Sequence, residues 1–409
     1  MKDEERAFGA ADDAAAPRAG EEIEVEIERV VPGGSGMAHA RGLTVFVPLA
    51  APGDRLRVRV ERVKGRVAFA ALREVLAPGP ERVEPPCPYF GRCGGCDFQQ
   101  LNYDAQLRAK AEIVRDCLRR IARVEPPSEI AVEPSPAAWR YRSRARWQHD
   151  ADGGRLGYYE LASHRVVDVA ECPVILPELQ ETLSGLRAAL REGEPAARAA
   201  REFEAVAGDA GVSVVPPLDD ADALEQRRTV AGETYRFDAG CFFQINHALL
   251  DALVGHALDD ESGDRAVDLY SGVGLFTLPL ARRFAQVRAV EGNARACDYA
   301  RRNLSDAGLS NATVEASPVA AWLSRHARAL APVDLVLLDP PRAGADHGAT
   351  EGILALAPRR IAYVSCDPAT LARDLRTLLA GGYTLDSVRA FDMFPQTHHV
   401  ETVAHLTRN

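Results

Sequence analysis

The first part of the chain alternates apolar and polar residues over short distances. Within residues 22–76, apolar side chains recur at every second position in several short segments, and Gly- and Pro-containing turns separate these segments. Strands this short and evenly spaced predict a small β-barrel over residues 21–76. Residues 1–20 are acidic and Ala-rich and contain no apolar signal segment, which indicates a disordered tail.

The central part, residues 77–239, shows both helical and strand periods. Apolar residues recur at helical spacing over residues 100–123, which predicts one amphipathic helix and makes it a candidate to pack on the following domain. Residues 139–170 are typical of antiparallel strands. Residues 178–212 are rich in Ala, Arg and Glu, and we expect them to be helical.

One segment of this central part carries an unusual row of arginines. Residues 139–147 alternate strictly, so four arginines would share one strand face because successive strand side chains point opposite ways; they are Arg140, Arg142, Arg144 and Arg146. Such a face is hard to explain as core. We therefore expect a surface that contacts phosphates, in preference to a merely solvated face.

From residue 240 to the end, the pattern changes to alternating strands and helices. Strands are predicted at 266–269, 287–291, 333–338 and 361–365, with helices at 276–284 and 294–307. This alternation predicts a parallel sheet with helices on both faces, in a doubly wound, Rossmann-like C-terminal domain. The chain as a whole is thus expected to be α/β, with an α+β central domain.

The composition is that of a globular protein with room for two or three domains. Of the 409 residues, 46% are apolar and 26% are charged. No apolar run is long enough to span a membrane, so we expect a cytoplasmic protein with no membrane partner. The net charge of −10 argues against bulk electrostatic wrapping of nucleic acid, although it permits a local basic face.

A glycine turn between the first C-terminal strand and its helix suggests a nucleoside cofactor. Gly272 and Gly274 stand in the turn, but Thr277 occupies the place of the third glycine of the dinucleotide fingerprint. This favours a ligand without pyrophosphate, and S-adenosylmethionine fits. Glu291 ends the next strand, where a carboxylate can accept both ribose hydroxyls, and Asp339 ends a third. The alternative is a packing turn with an incidental glutamate.

Cys366 is the candidate nucleophile, because it follows a predicted parallel strand at the edge where such sheets bind ligands. A thiolate there can attack carbon 6 of a pyrimidine and make carbon 5 nucleophilic toward a methyl group. Glu401 is the candidate base for the carbon 5 proton, and Asp339 can hydrogen-bond the base edge or the cofactor. For His398 and His399 a structural role is at least as plausible as a catalytic one.

Four further cysteines have the spacing of metal ligands. Cys87, Cys93 and Cys96 form a Cys-x5-Cys-x2-Cys run among Gly and Pro, and Cys172 is the natural fourth ligand. Thiolates in this number suit zinc as well as an iron–sulfur cluster, so the spacing leaves the metal open. The remaining cysteines, at 117, 241 and 297, are expected in the core.

Four motifs together resemble the TrmA/RumA family of uracil-5 RNA methyltransferases; they are Phe243–Asn246, Asp339–Gly344, Ser365–Pro368 and Phe394–Glu401. The resemblance covers nearly the whole chain, since the N-terminal barrel resembles an OB-like TRAM domain. It implies methyl transfer to carbon 5 of a uridine in structured ribosomal or transfer RNA. Cys366 would be the nucleophile and Glu401 the proton acceptor. We expect a monomer.

The resemblance also implies the two cofactors. S-adenosylmethionine would contact Gln244, Tyr270, Glu291 and Asp339. A [4Fe–4S] cluster with a structural role would be held by Cys87, Cys93, Cys96 and Cys172. The chain departs from the family at Tyr270-Ser271, where Phe-Cys is common, and at Leu275, where some members have Asn.

Three other functions compete with this interpretation. A cytosine-5 RNA methyltransferase shares the thiolate attack. A catalytically silent RNA-binding iron–sulfur protein would use the barrel and the cysteines, but the pairing of Cys366 with Glu401 speaks against it. A radical iron–sulfur enzyme lacks support because its usual Cys-x3-Cys-x2-Cys run is absent.

Overall fold

The computed structural model describes residues 15–218 and 224–409. The tail was predicted over residues 1–20, and residues 1–14 of it lie outside the described residues. Two compact units make up the chain. Of the described residues, the first unit contains those within 15–91, 96–113 and 396–398, and the second contains those within 92–95, 114–218, 224–395 and 399–409.

The first unit contains a six-stranded sheet. Its strands are β1 (Glu22–Glu26), β2 (Arg29–Val30), β3 (Gly36–Ala40), β4 (Leu43–Val47), β5 (Arg55–Lys64) and β6 (Val67–Ala77). The order is β1-β5-β6-β4-β3-β2, and only the β4–β6 pair is parallel. Alternate side chains such as Val45, Leu56 and Val58 are fully buried, which confirms the period-two pattern predicted for these residues.

A helical segment follows, as predicted for residues 100–123. Helix α1 (Tyr103–Cys117) starts where the Asn102 side chain accepts a hydrogen bond from the Ala105 N–H, at 2.9 Å. It continues into a π-helical turn, Leu118–Ala122, that ends at Arg123 in the left-handed conformation. This turn packs on a later helix of the second unit, Pro368–Ala380.

The second unit begins with a smaller antiparallel sheet of order β10-β9-β8-β11-β12. The elements in this stretch are β7 (Val132–Glu133), β8 (Arg144–Asp150), β9 (Arg155–Tyr159), β10 (Val166–Asp168), α2 (Pro177–Glu192), α3 (Pro195–Ala199), β11 (Glu202–Gly208), β12 (Gly211–Val215), β13 (Gln226–Val230) and β14 (Glu233–Phe237). The prediction of helix over residues 178–212 is wrong beyond residue 199. Residues 202–208 form a strand because they pair with β8 on one side and β12 on the other, burying Phe203 and Ala205.

The predicted four-arginine strand face is also wrong. Strand β8 starts only at Arg144, and Arg140 has a left-handed backbone (φ +51°), so the alternation does not extend back to it. Arg144 and Arg146 both pair with Glu204, which lies directly opposite Arg146 on β11. Arg144 also donates hydrogen bonds to two backbone carbonyls and is largely buried, so its role is in packing.

An eight-stranded mixed sheet forms the rest of the second unit. Its order is β17-β16-β15-β18-β19-β21-β20-β7. The elements are α4 (Leu250–Leu258), β15 (Gly263–Leu269), α5 (Thr277–Arg283), β16 (Phe284–Glu291), α6 (Ala294–Asp306), β17 (Ala312–Ala316), α7 (Val319–Leu330), β18 (Leu335–Leu338), α8 (Ala349–Leu356), β19 (Arg360–Ser365), α9 (Pro368–Ala380), β20 (Tyr383–Phe391) and β21 (Glu401–Arg408). The predicted parallel arrangement is confirmed for β15 to β19, but β21 runs antiparallel to β19 and to β20.

The antiparallel strand β21 has a direct consequence for the functional residues. Its second residue, Thr402, pairs with Ser365, the last residue of β19. The residue after β19 and the first residue of β21 therefore meet at one end of the sheet. No helix in the described part of the chain is long and apolar enough to cross a membrane.

Candidate active site

The carboxyl ends of the parallel strands open into one cavity of about 700 Å³. Parallel strands end at the same edge of a sheet, so the residues that terminate or follow them converge there. All six residues predicted from the sequence for catalysis and donor binding line this cavity; they are Gln244, Tyr270, Glu291, Asp339, Cys366 and Glu401.

The glycine turn after β15 forms one wall and is held by Glu291. Gly272 and Gly274 adopt positive φ angles of +55° and +98°, which favour glycine. The Gly272 N–H donates to Glu291 Oε2 at 2.9 Å, and the Asn293 N–H donates to Glu291 Oε1 at 2.7 Å. The strand end, the turn and the start of the next helix are thus tied together by a single carboxylate. Tyr270 joins a second wall, because its hydroxyl accepts the Asp346 N–H at 3.0 Å.

Asp339 and Gln244 meet across the cavity. The Gln244 Nε2–H donates to Asp339 Oδ2 at 3.2 Å. Burial raises the pKa of Asp339 to about 7, and the hydrogen bond from Gln244 opposes that rise. This aspartate therefore titrates close to neutral pH.

Cys366 and Glu401 lie at the junction of β19 and β21. Burial, followed by the nearby Glu401 and Asp339 carboxylates, raises the pKa of the Cys366 thiol to about 12, while Arg342 opposes the rise. Glu401 is only 1% exposed, and neither of its carboxylate oxygens has a hydrogen-bond partner among the described residues. Burial and then Asp339 raise the pKa of Glu401 well above its ordinary value. The surroundings of both groups therefore favour their protonated forms in the free protein.

Helix α9 starts immediately after the thiol. Asp367 Oδ1 accepts hydrogen bonds from the Ala369 and Thr370 N–H groups at 2.9 and 3.1 Å, and Pro368 occupies the first turn. This cap fixes the direction of the chain at Cys366.

Neither of the two neighbouring histidines is among the described residues that line the cavity. Within the first unit, His398 hydrogen-bonds Asp97 through its backbone N–H and its ring. Within the second, His399 Nδ1 lies 3.3 Å from Arg342 Nη2. These contacts favour a structural role for His398.

The three cysteines predicted to lie in the core do so. Cys117, Cys241 and Cys297 are buried, and burial raises their pKa values to about 12, 12 and 11. The four candidate ligands, Cys87, Cys93, Cys96 and Cys172, are partly exposed. In the second unit, desolvation raises the pKa of the half-buried Tyr158 well above its ordinary value, and Cys172 and Cys93 both lie close enough to add to that rise. Within residues 15–218 and 224–409, no group of three or more His, Cys, Asp or Glu side chains is arranged to hold a metal ion.

Sequence patterns missed the apolar lining of the cavity. Phe242, Phe276 and Val319 contribute to it, and Phe242 is 59% exposed. The apolar run around Phe242 has the appearance of a core segment, so no periodic signal distinguishes this ring. The only sequence signal near Phe242 was the motif Phe243–Asn246, which includes the predicted donor-binding residue Gln244.

Comparison with protein families assigns both ends of the chain. Residues 218–409 match the family described as tRNA (Uracil-5-)-methyltransferase. Residues 18–72, which include most of the six-stranded sheet, match the TRAM domain. The two matches thus fall on the sheet of the first unit and on the domain that contains the cavity.

Individual relatives extend the similarity over nearly the full length. The chain is 36% identical over 418 residues to the 23S rRNA (uracil(1939)-C(5))-methyltransferase RlmD of Pectobacterium atrosepticum, covering 93% of each chain. It is 37% identical over 434 residues to an uncharacterised RNA methyltransferase of Streptomyces avermitilis, covering 95% and 98%.

Among solved structures, the Pyrococcus abyssi tRNA (uracil-54, C5)-methyltransferase in complex with S-adenosyl-L-homocysteine matches with a TM-score of 0.72 and 28% identity. The match covers 94% of this chain and all of that one. The chain therefore belongs to the family of uracil-5 RNA methyltransferases, and its reaction is the S-adenosylmethionine-dependent methylation of carbon 5 of uracil in RNA.

Proposed function

We propose that Cys366 is the nucleophile that attacks carbon 6 of the target uracil and that Glu401 removes the proton from carbon 5. One observation carries this proposal: the pairing of Ser365 with Thr402 brings the two side chains to the same end of the sheet, and both line the cavity. The buried carboxyl of Glu401 is not committed to any described partner, so it is available to a ligand.

The chemistry balances with these two residues. The Cys366 sulfur forms a bond to carbon 6, and the electrons of the carbon 5–carbon 6 double bond move into an enolate over carbon 5 and the carbon 4 oxygen. Carbon 5 then takes the methyl group from the sulfonium, which leaves as a neutral thioether. Glu401 accepts the carbon 5 proton, the double bond re-forms, and the carbon 6–sulfur bond breaks to release the thiolate.

S-adenosylmethionine is proposed to bind along the glycine turn. Gly272 lines the cavity, and an added Cβ there would meet no described atom within 4 Å, so a ligand can approach the backbone closely. Glu291 lies at the next strand end, where it would accept the ribose hydroxyls. Tyr270, Gln244 and Asp339 line the same cavity and would complete the donor site.

The experiment compares two substitutions with a matched control. Cys366→Ala should abolish methyl transfer and keep donor binding, whereas Glu401→Gln should accumulate a covalent protein–RNA adduct that survives a denaturing gel. Glu315→Gln, on β17 and outside the cavity lining, should methylate normally. Methylation by Cys366→Ala would refute the nucleophile, and the absence of any adduct with Glu401→Gln would count against the base.

For the RNA, we propose a uridine of 23S ribosomal RNA, supported by the similarity to the Pectobacterium enzyme over 93% of the chain. Transfer RNA is the second candidate, because the Pyrococcus structure is of a transfer RNA enzyme. The target base would have to leave its stack to reach Cys366, and the TRAM sheet would contact the RNA. Mass spectrometry of 5-methyluridine in both RNA classes from a deletion strain decides between them.

We further propose that Cys87, Cys93, Cys96 and Cys172 bind a [4Fe–4S] cluster with a structural role. The donor chemistry fits, and the proximity of Cys93 and Cys172 to Tyr158 supports the pairing of the distant fourth ligand with the run. Iron and acid-labile sulfide, measured on anaerobically purified protein, should be present in the wild type and in Cys117→Ala, and lost in Cys96→Ala. Zinc in place of iron would contradict the cluster.

A further inference from the structure

The cavity lining contains the carboxyl groups of Glu401, which is buried, and of Asp339, which is partly exposed. A third carboxyl group, that of Asp268, is buried close enough to Asp339 to be affected by its charge. Asp268, fully buried at the end of β15, accepts a hydrogen bond from Thr277 Oγ1 at 2.5 Å through Oδ2, while its Oδ1 has no partner among the described residues. Both oxygens of Glu401 are equally unpartnered, and this side chain lines the cavity. Asp339 has only the Gln244 amide as an assigned side-chain donor.

Asp339 is close enough to each of the other two carboxyl groups to affect its ionisation. The Asp339 charge disfavours ionisation of both Asp268 and Glu401. Glu291, from the end of β16, adds to the effect on Asp268, and Tyr235 lies close enough for Asp268 to raise its pKa.

Positive charge is scarce around this carboxyl cluster. Arg342 is the one cationic residue among the described residues that line the cavity, and its side chain is 60% exposed. Arg342 lowers the pKa of the Cys366 thiol, but the nearby carboxylates of Glu401, Asp339 and Asp367 raise it. A buried site with several carboxyl groups and little cationic compensation stabilises an incoming cation more than a neutral ligand of the same shape.

We propose that Asp268, Asp339 and Glu401 distinguish the methyl donor from its product by charge, so that binding the sulfonium cation releases a proton from the cluster and binding the neutral thioether does not. The inference rests on the proposed function, because it places the donor in this cavity. It makes Asp268, which does not line the cavity, a specificity-determining residue that acts through Asp339.

The protonation equilibria set the pH range of the effect. Burial raises the pKa values of Asp268 and Asp339 to about 7, and that of Glu401 well above its ordinary value. A cation in the cavity favours the ionised carboxylates and so lowers these pKa values. Below about pH 7 a proton must leave before the sulfonium binds well, whereas the thioether has no such requirement. The donor-loaded site is also the one in which a carboxylate is ready to act as a base.

The test is calorimetric titration of the full-length protein with S-adenosylmethionine and with S-adenosylhomocysteine, in buffers of different ionisation enthalpy. We expect release of about half a proton per bound donor at pH 7, approaching one proton near pH 6, and almost none per bound product. Donor affinity should rise about tenfold per pH unit below pH 7, as linkage to one proton requires, with product affinity nearly flat. Asp268→Asn, which keeps an acceptor for Thr277, should reduce the proton release, and Asp298→Asn, an exposed position on α6, should not.

Equal proton release and equal pH slopes for the two ligands in the wild-type protein would overturn the inference, even if the Asp268 variant fails to fold. If the donor binds outside the cavity, or if neither ligand binds, the proposed donor site fails and this inference fails with it. The two failures are distinguishable. If the donor site is wrong, binding of S-adenosylmethionine is absent or does not change when Glu291 is replaced, whereas failure of the charge inference alone leaves that binding intact and sensitive to Glu291.

Discussion

The thiol of Cys366 should be nearly inert in the free enzyme, although it is the proposed nucleophile. Burial and two neighbouring carboxylates raise its pKa to about 12. At pH 8 about one thiol in 10⁴ is then ionised, whereas an exposed cysteine with a pKa of about 8.5 is ionised about one time in four. Because the thiolate is the reactive form, iodoacetamide should alkylate Cys366 about 10³-fold more slowly than an ordinary cysteine.

The assay follows one peptide by mass spectrometry. The native protein is exposed to iodoacetamide for increasing times at pH 8, and the rate at the Cys366 peptide is compared with that of the same peptide in denaturant. Asp339→Asn removes a carboxylate that opposes the thiolate and should speed alkylation of the native protein about tenfold, while Asp298→Asn should leave it unchanged. Native and denatured rates within a factor of ten of each other would refute the electrostatic reasoning.

Three further predictions concern paired charges. Asp54→Ala should destabilise the six-stranded sheet by about 3–5 kcal/mol, because it leaves the largely buried Arg82 guanidinium without its carboxylate partner. Hydrogen exchange of the β5 and β6 amides measures this loss of stability, and unchanged protection of those amides would contradict the prediction. Arg144→Ala should lower the free energy of unfolding by about 2–4 kcal/mol, whereas Arg146→Ala, at an exposed position, should lower it by under about 1 kcal/mol. Urea titrations of both variants measure these changes, and equal effects would argue against a packing role for Arg144. Glu291→Gln should weaken donor binding about 10- to 100-fold, since a charge-assisted hydrogen bond contributes about 1.5–3 kcal/mol, and calorimetry showing unaltered affinity would remove Glu291 from the donor site.

The convergence of the proposed donor-binding residues was predictable from the sequence. Strand periodicity located the ends of β15, β16 and β18, and the rule that parallel strands share a ligand-binding edge placed Tyr270, Glu291 and Asp339 together. The meeting of Cys366 and Glu401 followed from their motifs and their chemistry alone. Its structural cause, the antiparallel register of Ser365 and Thr402, involves two residues far apart in the chain, and no local pattern encodes it.

The two wrong predictions, the four-arginine strand face and the helix over residues 200–212, share a cause. In both segments the local structure is determined by pairing with residues far away in the sequence. The arginine alternation ends at Arg144 because Arg140 takes a left-handed backbone whose amide donates to the Pro173 carbonyl. The charges of Arg144 and Arg146 are matched by Glu204, which reaches them only because β11 pairs with β8. That same pairing turned a segment of helical composition into a strand. Propensity is a weak prior wherever tertiary pairing buries a segment.

Protonation states lie further still from what a sequence can predict, and here they carry the mechanism. The proposed nucleophile must be a thiolate and the proposed base must be a carboxylate, yet burial raises the pKa of Cys366 to about 12 and the pKa of Glu401 well above its ordinary value. A sulfonium in the cavity lowers the pKa of both groups, because it supplies the positive charge that the described lining has only at Arg342. Burial keeps the ionised fraction of the Cys366 thiol low when the cavity is empty, and a bound sulfonium raises that fraction. The reactive thiolate is therefore favoured when a methyl group is available for transfer.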